Sequence, residues 1–144
     1  MSPIDAWAAR LHTLRAIGWL LLAQALVATA PFRLWRGRLG GRGGEHADAP
    51  ATRRLAAQIE RAAWRLPFTV KCLPQAIALS WQLRRRRIAH GLVLAIRPPD
   101  KRGGRDDLHA WIECDGTIVL GQRPGPWVRV HTLGQVPAHR AEPE

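Results

Sequence analysis

Cysteine is scarce in this chain: only Cys72 and Cys114 occur in 144 residues. A disulfide scaffold needs more cross-links in so short a chain. There is no CxxC pair and no zinc-ligand cluster in the sequence. No nucleotide or metal site is evident, so no cofactor is expected. Tyrosine is absent, and seven Trp stand beside only two Phe. Each Trp carries an N–H donor, which places some of them at a surface or an interface. Negative charge is also thin. Asp and Glu number 11 against 22 Lys and Arg, giving a formal net charge of +11. That restricts partners to acidic ones: nucleic acid, an anionic membrane surface or an acidic peptide. Scattered arginines in an Ala-rich chain also fit a GC-rich genome. No DNA- or RNA-binding signature occurs, which argues against nucleic acid.

A long hydrophobic run is missing too. Residues 16–30 hold fifteen apolar-rich positions with Gln24 in the middle. A comfortable transmembrane helix needs ~20. Three readings stay open for residues 16–35. The run is a core helix, or a helix docked on a membrane or partner, or a signal peptide ending at Ala28-Thr29-Ala30. The basic, aromatic segment from Pro31 to Gly40 suits the second. Two thiols in a compact domain indicate a reducing compartment, hence the cytoplasm, with membrane association open.

What is present is one domain's worth of chain, 47% hydrophobic. Residues 1–36 read as an N-terminal apolar or amphipathic helical segment. Residues 37–50 read as a Gly-rich linker. Residues 51–136 read as the domain core, and 137–144 as a loose tail. Within the core, Leu55, Ala56, Ile59, Ala62, Ala63 and Leu66 fall at helical spacing before Pro67. A further helix opens at Cys72, where Pro74 is tolerated in the first turn. It closes in Arg84–Arg87, cations that suit a helix C-terminus. The period then changes. Residues 92–96, 108–114, 117–122 and 127–130 read as strands, and Asp115-Gly116 is a two-residue hairpin signal. Helices followed by an antiparallel sheet give an α+β fold.

Two residues carry chemistry. Cys72 stands at a helix N-terminus, where free N–H groups favour an anionic sulfur and Lys71 adds positive charge. His109 lies on a strand, with Trp111 and Glu113 on the same face by alternation. A thiolate nucleophile needs a base brought from elsewhere in the chain, and His109 fits that role. A third group normally orients the imidazole. Pairing outward from Asp115-Gly116 sets Cys114 opposite Thr117 and Glu113 opposite Ile118. The same count sets His109 opposite Gln122. Gln122 is therefore the geometric orienter. Asp115 has the charge but sits at the turn. Glu113 shares the face but lies two pairs away. A bulge would alter this register.

Cys72-Leu73-Pro74-Gln75-Ala76, the strand from Gly91 to Ile96, and His109-Ala110-Trp111-Ile112-Glu113 before Asp115-Gly116 together resemble the leader peptidases of lasso-peptide biosynthesis. These are transglutaminase-like cysteine proteases, the peptidase half of the B protein. The resemblance covers about residues 51–122. It implies a transglutaminase-like or papain-like fold and removal of the leader from a ribosomally made precursor peptide. Cys72 would be nucleophile and His109 base. It implies as partners the precursor, a separate leader-recognition protein and a macrolactam synthetase. The family's usual Asp has no clear match near Gly121-Gln122. A basic nucleic-acid-binding protein and a membrane-associated scaffold are the competing classes.

Overall fold

The computed structural model describes residues 2–41, 49–104 and 107–134. The chain begins with α1 (Pro3–Thr29), opened by a capping box. Ser2 Oγ accepts from the Asp5 N–H, and the Asp5 carboxylate accepts from the Ser2 N–H. The Pro31 ring stops the helix from continuing, and the short α2 (Phe32–Trp35) follows, then a 3-10 turn at Arg36–Arg38. Trp35 is buried. Its indole N–H donates to the Ala30 carbonyl, and its ring meets Phe32 edge-on at 4.8 Å.

Then come α3 (Ala49–Arg65) and α4 (Cys72–Arg85). In α3 the apolar stripe read from sequence is the buried one: Leu55, Ala56, Ile59 and Ala62. Strands β1 (Gly91–Ile96), β2 (Leu108–Cys114), β3 (Thr117–Leu120) and β4 (Val128–Gly134) complete the fold. They form one sheet in the order β3-β2-β1-β4, with the β1–β2, β1–β4 and β2–β3 pairs antiparallel. The α+β class is as the sequence indicated.

The helices cover one face of this sheet. α1 packs on α3 and α4, and α4 lies against β2. Ala16 and Leu20 of α1, Ile59 of α3, Ile77 and Leu79 of α4, and Ile112 of β2 share one core. The division expected at residue 36 is therefore not a packing boundary, because α1 buries its inner face in the same core as α3 and α4. The opposite sheet face carries a small cluster of Val93, Ala95 and Trp111.

Part of the expected linker is firmly placed. Gly41 pairs with His90. Gly40 takes φ +75 and lies so close to β4 that an added Cβ would sit 2.3 Å from the Leu133 carbonyl oxygen. Only glycine accepts both conditions. Residues 42–48 and the expected tail 137–144 lie outside the described residues.

A buried polar chain holds this junction. The Gly40 N–H donates to Ser80 Oγ at 2.9 Å. His90 Nδ1–H donates to the Ile88 carbonyl at 2.9 Å, so Nε2 accepts from the Ser80 hydroxyl at 2.7 Å. Burial, and secondarily Arg84, holds the His90 pKa below its ordinary 6.5, against an opposing pull from the Ile88 bond.

Candidate functional site

Cys72 is the first residue of α4. Lys71 caps the helix with extended backbone and makes no side-chain cap bond. The Gln75 side chain donates to the Val70 carbonyl at 2.9 Å, which pins the segment entering the helix. Cys72 is half-buried and free of any disulfide. Cys114 is free as well but buried, and burial followed by the Asp115 charge pushes its pKa up to about 11. Of the two thiols, only Cys72 is placed for chemistry.

His109 is the second residue of β2 and is buried. Its ring packs against Trp111 at 5.7 Å and Trp127 at 5.1 Å. Nε2 is hydrogen-bonded to the Gly121 carbonyl. A carbonyl only accepts, so Nε2 carries the proton, and Nδ1 is the basic nitrogen of the neutral ring.

The orienter expectations need correction. β2 and β3 pair as expected at Cys114–Thr117 and Glu113–Ile118, but the next pair is Ile112–Leu120. One extra residue, Val119, enters β3 there as a bulge. Gln122 consequently does not face His109 in the ladder, and its side chain is exposed. The Gly121 main chain stands there instead. Asp115 occupies the hairpin turn at φ +49, followed by Gly116 at φ +78. Six residues of strand, ~20 Å, separate it from His109. Glu113 is committed elsewhere. Arg129 holds its carboxylate with two N–H bonds, at 2.5 and 3.1 Å, and the Trp111 indole donates to it at 2.8 Å. Trp127, Arg129 and the Gly121 carbonyl were not singled out from sequence. A glycine ending a strand run was the available signal for the bulge.

The short connection 86–90 turns the chain back, so β1 runs back along α4. The Ser80–His90 bond fixes the turning end. Cys72 lies eight residues upstream, ~12 Å along the helix. His109 pairs with Ala95, five residues beyond His90, or ~16 Å along the strand. Each residue thus lies away from the turn along its own element. They do not share a sheet face. Cys72 packs on the helix-side core, which contains Ala110 and Ile112, whereas His109 projects to the face of Trp111 and Trp127. Between them lies the start of β2, which extends beyond the last β3 pair at Ile112.

Two cavities flank this arrangement. One of about 470 Å³ adjoins the Cys72 end and is lined by Trp64, Pro67, Phe68, Val70 and Gln75 among others. A larger one, about 1050 Å³, is lined by Arg36, Arg84, Arg86, Arg87 and His131 at the opposite end of α4. Its size does not make it the reaction site, because neither thiol lines it. No group of side chains suited to hold a metal ion occurs among the described residues.

Comparison with protein families matches the chain to the transglutaminase-like superfamily over residues 14–134. No curated protein and no solved structure matches the chain.

Proposed function

Because the chain belongs to the transglutaminase-like superfamily, we propose that it is a cysteine-type peptidase with Cys72 as nucleophile and His109 as base. The observation that carries this reading is the placement of Cys72. A half-buried thiol opens a fourteen-residue helix whose first turn is left without a side-chain cap. The N–H groups there are available to an oxyanion formed when the sulfur adds to a carbonyl carbon. His109 supports it as a buried histidine on β2, held in one tautomer by Gly121.

In the reaction the sulfur attacks the scissile carbonyl carbon, and the thiol proton passes to His109 Nδ1. The same nitrogen then protonates the departing amine, and water releases the acyl-enzyme. Sulfur and imidazole lie on opposite sides of the start of β2, so the proton transfer requires that end of β2 to shift when substrate binds. The resemblance of the Cys72 and His109 motifs to lasso leader peptidases gives the substrate. It is a ribosomally made precursor, presented by a separate recognition protein and passed on to a macrolactam synthetase.

The test is cleavage of a precursor peptide, followed by mass spectrometry, with the recognition protein added. Wild type should separate leader from core. Cys72→Ala and His109→Ala should each lose activity by orders of magnitude, Cys72→Ala with its melting temperature kept and His109→Ala with a lowered one, because the buried ring packs on Trp111 and Trp127. Undiminished cleavage by Cys72→Ala would end this reading.

A further inference from the structure

The proposed chemistry leaves the outer face of α1 without a role. Its inner face is occupied, since Ala16, Leu20 and Ala23 are buried. On the opposite side Ile4, Trp7, Leu11, Leu14, Leu21 and Leu22 are all exposed, Ile4 by 78%, Leu14 by 62% and Leu22 by 55%. From Ile4 to Leu14 they recur at intervals of three and four, Gly18 fills the gap, and Leu21 and Leu22 lie three and four residues beyond it. At 3.6 residues per turn this is a single stripe ~27 Å long. The helix is thus apolar on two opposite faces. Scattered apolar residues are ordinary on a protein surface, but a continuous stripe marks an interaction.

The charges beside the stripe indicate the partner. Arg10 and Arg15 border it on its two sides by helical position. Arg15, Arg85 and Arg86 line one cleft along the helix. Asp5 is the one acidic residue in α1, and it is taken up by the capping box. Among the described residues the ion pair is Arg129–Glu113, on the sheet, and none joins a carboxylate to Arg10 or Arg15. A second copy of this chain would bring like charge against like, +11 against +11. A surface of anionic lipid offers what both features require: acyl chains for the stripe, and headgroups for the arginines and Trp7.

We propose that α1 lies in the plane of an anionic membrane with its outer stripe in the lipid, holding the domain at the surface. By length and composition α1 is able to cross a membrane. Crossing is disfavoured because its inner face is covered by α3 and α4. Their exposed Arg53, Arg54, Arg61 and Arg84 would then enter hydrocarbon. An in-plane helix leaves that packing intact.

The experiment is flotation of the full chain with phosphatidylglycerol–phosphatidylcholine vesicles and with phosphatidylcholine alone. Wild type should float with the anionic vesicles and much less with the neutral ones. Leu11→Asp/Leu14→Asp alters exposed positions only, so circular dichroism and melting should match wild type while flotation falls at least about tenfold. Arg10→Gln/Arg15→Gln should weaken flotation on anionic vesicles and leave the neutral ones unchanged. Four results would overturn the proposal. Wild type does not float. The aspartate variant floats undiminished. The bound protein resists alkaline carbonate extraction, as a spanning helix does. Or wild type sediments as a dimer that the aspartate variant dissociates, without any flotation. None depends on peptidase activity, so failure here leaves the proposed function standing.

Discussion

The Nε2–H of His109 donates to a main-chain carbonyl, that of Gly121. A backbone acceptor fixes the tautomer but contributes only a dipole to an imidazolium. Gln122→Ala and Asp115→Asn are therefore expected to leave cleavage within about twofold of wild type. Gly121→Ala should be far worse. The residue has φ +87, and an added Cβ would sit 2.8 Å from the Ala110 carbonyl oxygen. Turnover of the precursor peptide, measured beside melting temperature, separates these cases.

The two thiols should respond differently to alkylation. At neutral pH, iodoacetamide is expected to place a single adduct on Cys72. Cys114 is buried with its pKa near 11, so it should react only at strongly alkaline pH or on unfolding. Peptide mapping by mass spectrometry reads the site directly, and Cys114-first labelling would contradict the assignment of the accessible thiol.

The Ser80–His90 junction should make stability pH-dependent. His90 has a folded pKa below its ordinary 6.5, so below that pH the unfolded chain binds the extra proton more readily. The contribution is complete above about 6.5 and is lost as pH falls through the depressed folded value. Ser80→Ala leaves the buried Gly40 N–H without its acceptor, and should cost about 1–3 kcal/mol at pH 7. Chemical denaturation at pH 5, 6 and 7.5 measures both effects.

Glu113 and Arg129 form a structural clamp. Arg129→Ala leaves a buried carboxylate supported only by the Trp111 indole. The Arg129 side chain is itself half exposed, so the cost should be about 2 kcal/mol, less than for a fully buried pair. Leu108→Ala, at an exposed position on the same strand, should cost under about 0.5 kcal/mol. Urea unfolding of the two variants checks the difference.

Much of the fold was legible because its signals are local. The stripe from Leu55 to Ala62 and the turn at Asp115-Gly116 are set by residues within a few positions. They appear in the structure where the spacing put them. The register beyond Ile118 was not legible, because the Val119 bulge depends on how Gly121 packs against Ala110 and Trp111. That contact exists only once the hairpin has closed. Gly40 and Gly41 read as linker because glycine is permissive. Here the same property lets backbone press against backbone at Leu133 and Gly134. Cys72 and His109 were legible as residue types at element ends. The sheet faces they occupy follow from strand alternation, but which face the helices cover is decided by the whole core.

The contact between Gly40 and Gly134 joins points 94 positions apart in the chain. Together with the Gly41–His90 pairing and the burial of Ala16, Leu20 and Trp35, it ties the first forty-one residues to the rest without help from the covalent link that follows. A chain supplied as two separate polypeptides, 1–41 and 49–144, is thus expected to assemble by complementation. The protein is in this sense a complex of two parts that happen to be encoded as one.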